Sequence, residues 1–244
     1  MYQPFAYMAA AAGGLPDIYT TGLEQWFAPE LATSVSEFLT DQSGNARDGS
    51  SGGTQWNWDG SNNYVYLSSA NTTDNVLNTD YHPSSLDTVF TLQIWAYMEA
   101  GGPSAGELGL LHQLQNTGNS ANTMNLRASG TILKSQQRQS SNVFLTLNSV
   151  WNAWHMFTYS YDVNEISSGV KQEFFLDDGT TSVTDNQTIA VTNSTGFFVG
   201  GKFDNNVNNY WADLKVGSIK VYSTALTSTE VSTNYNAEKA HYGL

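Results

Sequence analysis

Phe90-Thr-Leu-Gln-Ile-Trp-Ala-Tyr-Met98 alternates without a break, placing Phe90, Leu92, Ile94, Ala96 and Met98 on one side of an extended chain and Thr91, Gln93, Trp95 and Tyr97 on the other. A period of two marks a strand with one face in a core. Working outward, the same alternation returns in Asn63-Tyr-Val-Tyr-Leu-Ser-Ser69. Further strands are expected at 108–114, 122–126, 143–147, 154–161, 170–176, 188–192, 196–201 and 216–222. Asp178-Gly179 stands between 171–176 and 180–184 and reads as a hairpin turn. Near the C-terminus, Thr227-Ser-Thr-Glu230 is a capping box, followed at helical spacing by Val231, Asn234, Tyr235 and Glu238, and predicts one helix.

The composition suits this pattern. The 244 residues include 23 Asn, 26 Ser, 25 Thr and 21 Gly, while Phe, Trp and Tyr make up 13% of the chain. Short strands joined by polar turns are built from such residues, and the aromatic content excludes a disordered chain. No cysteine is present, which removes disulfide scaffolds, thiolate metal sites and cysteine nucleophiles. Twenty-two acidic residues against nine basic ones give a net charge of −13 and argue against nucleic acid as a partner, since phosphate binding needs clustered cations. The loose basic group Arg127, Lys134 and Arg138 reads as a solvated strand edge. No stretch is long and apolar enough for a spanning helix, so membrane insertion is not expected.

The first 16 residues are apolar but lack the basic region of a secretory leader, the first basic residue being Arg47. They are expected to form an ordered arm, with Pro4, Phe5, Tyr7 and Met8 packing either on their own domain or into a neighbouring subunit. Residues 17–244 show no repeat or composition shift and read as one domain: an all-β, two-sheet antiparallel jelly-roll sandwich with one short C-terminal helix.

Several motifs occur in a recognisable order: Asp41-Gln-Ser-Gly-Asn-Ala-Arg-Asp-Gly49, Trp56-Asn-Trp-Asp-Gly60, the strand at 90–96, Trp151-Asn-Ala-Trp-His-Met-Phe157, Phe174-Phe-Leu-Asp-Asp-Gly179, Phe198-Val-Gly-Gly201 and Ala212-Asp-Leu-Lys-Val-Gly-Ser-Ile-Lys-Val-Tyr222. Over residues 20–237 the chain resembles the laminin-G-like branch of the concanavalin A-like jelly rolls, and around 200–226 it is similar to pentraxins. The resemblance implies a fold that serves lectins, glycosidases, adhesion modules and virion proteins alike. Its glycosidases carry Glu-x-Asp-x-x-Glu on one strand, a string this chain lacks; Glu173 is the only acid inside an expected strand, so no enzyme is expected. His82, His112, His155 and His241 are too widely spaced for a zinc site.

Two binding chemistries remain. Calcium takes hard oxygen ligands from turns, and Asp41, Asn45 and Asp48 offer them, with Asp59 or Asp213 nearby in the pattern. The similarity to pentraxins puts Asp204 at a calcium-ligand position, but Lys202 falls where a second acid is expected and would repel the ion. A sugar site needs exposed aromatic rings beside amides, an arrangement found in Trp56 and Trp58 and in Asn208, Asn209, Tyr210 and Trp211. The expectation is therefore a non-enzymatic structural or binding module. It is placed on a virion surface as a decoration or fibre component, with other subunits of an assembly and cell-surface glycans as partners. An extracellular lectin-like domain is the alternative.

Overall fold

The computed structural model describes residues 16–52, 56–67, 77–81, 88–98, 108–113, 125–129, 132–136, 143–146, 152–186, 188, 197–200 and 214–244. In chain order its strands begin with β1 (Leu23–Phe27), β2 (Ser50–Ser51), β3 (Trp56–Asp59), β4 (Tyr64–Leu67), β5 (Leu77–Asn78), β6 (Val89–Met98) and β7 (Leu108–Gln113). They continue with β8 (Asn125–Ser129), β9 (Ile132–Gln136), β10 (Val143–Thr146), β11 (Trp154–Asp162), β12 (Gln172–Leu176), β13 (Thr181–Asp185), β14 (Phe197–Val199) and β15 (Leu214–Tyr222). A short helix, α1, spans Val35–Phe38, and α2 spans Ser228–Glu238, followed by a 3-10 turn, Lys239–Tyr242.

The strands form two antiparallel sheets, and the expected all-β sandwich with a C-terminal helix is what the chain adopts. The first sheet runs β13-β12-β11-β6-β15-β4-β3, with β1 also paired to β15; the second runs β10-β9-β8-β7-β14-β5-β2. Alternation sorts β6 as expected: Phe90, Leu92, Ile94, Ala96 and Met98 enter the core between the sheets with Phe157, Tyr159 and Tyr161 of β11 and Phe197 and Val199 of β14. The 170–176 strand and its hairpin partner also form, but the turn is four residues long (177–180), with positive φ at Asp177 and Gly179.

Three expectations change. Arg127 and Lys134 are register partners on β8 and β9, strands that lie inside the second sheet rather than at its edge. Part of the first sheet's outer face, expected to be solvated, is buried: Thr91, Gln93, Trp95 and Lys220 are 0% exposed. Residues 224–226 bond Thr91 and helix α2 covers the other three, held there by polar contacts as well as by Val231 and the stack of Tyr235 on Trp95. Its capping box forms as expected. Asn234 donates to Gln93 Oε1 (3.0 Å) and to the Tyr222 hydroxyl (2.8 Å), while Trp95 Nε1 donates to Glu238 Oε2 (2.8 Å). Finally, strands β1, β2, β3, β5 and β9 are not among those expected from the sequence, because short pieces such as Ser50–Ser51 carry no period of their own. The arm residues Pro4, Phe5, Tyr7 and Met8 lie outside the described residues, as do Arg138 and nearly all of the 188–192 strand.

Candidate functional site

Beyond the edge of helix α2 the outer face of the first sheet carries a row of side chains in register. Asn57 of β3 pairs with Tyr66 of β4, Tyr66 with Lys215 of β15, Lys215 with Tyr97 of β6, and Tyr97 with Trp154 of β11. Directly opposed residues on one face are close neighbours, so the row crosses five adjacent strands. Tyr64, two residues before Tyr66 on the same face, joins it. Asn57 is exposed, and Tyr64, Tyr66, Tyr97, Trp154 and Lys215 are half-buried.

The rings hold one another at fixed angles. Trp154 lies 5.8 Å from Tyr97 and 5.7 Å from Tyr64, and Tyr64 meets Tyr66 edge-on at 6.3 Å. The Lys215 ammonium stands 4.3 Å from the Tyr97 ring centre and 5.6 Å from that of Tyr64, a cation–π arrangement that fixes the lysine against the aromatics. Side-chain hydrogen bonds from Asn62 and Tyr64 hold the Asp59 carboxyl below its ordinary range; Asp59 in turn orients Tyr64. Beside the row, on the same outer face, Tyr242 stacks on Trp95 (4.3 Å) and meets Trp154 at a tilt (4.7 Å). The result is a ribbed aromatic surface with an ammonium and an amide set into it. Such a surface can stack on the apolar face of a pyranose ring while its polar groups bond the hydroxyls.

The residues singled out from the sequence are placed differently. Trp56 is corrected: it points inward and is only 7% exposed in the sandwich core. Trp58 also packs on that core. Alternation on β3 turns both indoles in and Asn57 and Asp59 out, so the motif is at the site through the residues that alternate with the tryptophans. Asn208, Asn209, Tyr210, Trp211 and Asp204 lie outside the described residues. Asp41, Asn45 and Asp48 do come together, but around protein donors. Asp41 Oδ1 accepts from the Trp26 and Ser43 amides (2.9 Å each), and Oδ2 accepts from Ser43 Oγ (2.8 Å) and the Arg47 amide (3.0 Å). Asp48 accepts from the Asp41 amide (2.8 Å), and Asn45 donates its amide to Leu23 O (3.0 Å). These groups brace the loop against β1 instead of facing an ion. Among the described residues no group of three His, Asp or Glu side chains is arranged to hold a metal.

A second concavity, a groove of about 740 Å³, runs between the 177–180 turn and helix α2 and is lined by Asp17, Asp178, Thr180, Ser228, Ser232 and Asn236. It has hydroxyls and carboxylates but no ring, and the Asp178 carboxylate is already taken by the Thr180 hydroxyl and amide (2.7 and 3.0 Å).

No protein-family model matches the chain, and no curated protein matches it. Solved structures do resemble it. The botulinum neurotoxin serotype G binding domain superposes with a TM-score of 0.66 at 12% identity, over 89% of this chain and 51% of that one. The binding domain of botulinum neurotoxin DC in complex with SialylT gives 0.65 at 11%, over 89% and 52%. Trypanosoma rangeli sialidase in complex with sialic acid gives 0.62 at 11%, over 90% and 33%. The chain thus spans about half the length of the toxin structures and a third of the sialidase. At such identities the likeness shows the β-sandwich fold.

Proposed function

We infer that the chain is a non-enzymatic glycan-binding module that uses the outer-face row Asn57–Tyr66–Lys215–Tyr97–Trp154 as its sugar platform. The row itself carries the reading: five strands each contribute one ring or polar side chain at a single level, on a face that α2 leaves partly open. The neighbours lend support, because two of those structures are complexes with sialylated ligands or sialic acid, and the cell entry of botulinum neurotoxin type C is described as dependent on two ganglioside molecules. A module of this kind suits attachment of a virion, or of another extracellular particle, to a cell surface.

A glycan array probed with the full chain tests the reading, run with and without calcium. Trp154→Ala and Tyr97→Ala are each expected to weaken binding at least tenfold, as loss of one aromatic stacking partner does, with the circular dichroism of the sandwich retained. Binding unchanged in both variants, or lost only on substitution of Asp178 in the polar groove, would move the site off the platform.

A further inference from the structure

Lys215 stands at the middle of the outer-face row, in register with Tyr66 on one side and Tyr97 on the other. Its ammonium and the Trp154 indole flank the same two tyrosines. Nζ lies 4.3 Å from the ring centre of Tyr97 and 5.6 Å from that of Tyr64, while Trp154 lies 5.8 Å and 5.7 Å from the same rings. A broad apolar face is thereby joined to one positive charge, on a lysine that is itself half-buried. Asp59, at the end of the same face, commits its carboxylate to the hairpin: Oδ1 accepts from the Ser61 and Asn62 amides (2.9 and 3.2 Å), and Oδ2 accepts from Asn62 Nδ2 (3.1 Å).

Clusters of Tyr and Trp ordinarily attract cations, but here the rings of Tyr97 and Tyr64 already hold one. A second positive charge brought to them is repelled, in half-buried surroundings where water and salt screen less than in bulk. A negative charge meets the opposite. An ammonium seated against rings has already lost part of its hydration and its freedom of motion, so an anion bonds it at a smaller cost than it bonds a lysine waving in solvent. The ammonium carries three N–H donors and serves more than one acceptor at once, and its bonds to an ionised group are among the strong hydrogen bonds. The chain as a whole carries a net charge of −13 and does not draw anions in by its general field, so their selection has to come from a local cation of this kind.

Resting on the sugar-platform reading above, we propose that the platform selects acidic sugars and that Lys215 is the residue that sets this preference. The pyranose ring stacks on Trp154 and Tyr97, and the carboxylate or sulfate that it bears is bonded by the Lys215 ammonium. Amino sugars and other cationic ligands, which a bare aromatic cluster would favour, are turned away by the same charge. Neutral sugars keep the stacking and lose the ionic bond.

Titration of the full chain with lactose, lactose capped with sialic acid, lactose 6-sulfate and glucosamine, at low and at physiological salt, tests this. The acidic probes are expected to bind about tenfold more tightly than lactose, with the ratio shrinking as salt rises, and glucosamine is expected to bind most weakly. The tighter of the two acidic probes identifies the anionic group. Lys215→Met is expected to abolish the acidic-over-neutral preference, Lys215→Arg to keep it, and Lys215→Glu to reverse it in favour of glucosamine, each with the circular dichroism of the sandwich retained. Damage to the fold would weaken every probe and reverse nothing. Equal binding of acidic and neutral probes by the wild type, or a preference that survives in Lys215→Met, overturns the proposal while the sugar platform stands. No binding of any probe, or binding that Trp154→Ala and Tyr97→Ala leave unchanged, overturns the platform reading itself and the preference with it.

Discussion

Gly217 stands where β15 bulges between Val216 and Ile219, and the reason is steric. A Cβ at this position would lie 2.2 Å from the Tyr242 hydroxyl, the same oxygen that accepts from the Ser218 amide at 2.7 Å. Gly217→Ala is expected to lower stability by about 1–3 kcal/mol, as overpacking does, and a shift of the urea midpoint at unchanged slope will show it. Because Tyr242 also packs at a tilt against Trp154, the same substitution is expected to weaken sugar binding without touching the platform's own residues. Nothing in the sequence around Gly217 announces this. Tyr242 is distant in the chain, and a glycine inside a strand signals a bulge or a close approach without naming the partner.

Helix α2 is an unusual lid, since its buried residues are Val231, Asn234 and Glu238, and two of the three are polar. Its anchorage therefore combines hydrogen bonds from Asn234 and to Glu238 with the packing of Val231 and Tyr235, and its start rests on one cap. Thr227 Oγ1 accepts from the Glu230 amide, and Glu230 accepts back from the Thr227 amide at 2.7 Å. Burial raises the Glu230 carboxyl, but the bonds from Thr227 and Tyr19 outweigh it and leave it below its ordinary value. A carboxyl lowered in this way stabilises the fold above its ordinary range and loses that contribution as pH falls through its folded value. Thr227→Ala is expected to cost about 1 kcal/mol near neutrality, with the gap to wild type narrowing in acid; thermal melts across the acid range will measure it. The capping box was legible because it is a local code of four residues. The platform was not, although each of its residues sits in a readable motif. Tyr97 and Trp154 become neighbours only through the register of β6 against β11, and Trp56 was misassigned because indoles in a tryptophan-rich segment look like sugar contacts until alternation fixes which way they point.

At the scale of the whole molecule, the sandwich followed from alternation and composition, while the second core beneath α2 did not. Polar letters such as Thr91, Gln93 and Lys220 read as surface, and only a helix bringing complementary polar groups makes them interior. The pH response of the fold should carry the mark of that second core. Glu30 is raised by burial and by Glu238, so its protonated form stabilises the fold below the ordinary carboxylate range, and this contribution is lost as pH rises through the folded value. In Glu30→Gln, the Tm difference from wild type is expected to move in the variant's favour as pH rises from acid to neutral. A difference that does not vary with pH would show that Glu30 is ionised as freely in the folded chain as in the unfolded one.

Strand β15 lies between β6 on one side and β4 and β1 on the other, yet it is the last strand in the chain. During synthesis the two flanks of the first sheet are complete long before residues 214–222 leave the ribosome, and until then each exposes an open edge with no native neighbour. Completion of the first sheet is thus gated by residues 214–222. Closing these distant pairings makes the chain a slow, non-local folder, and any product truncated before residue 214 keeps two unpaired edges that are free to join other chains.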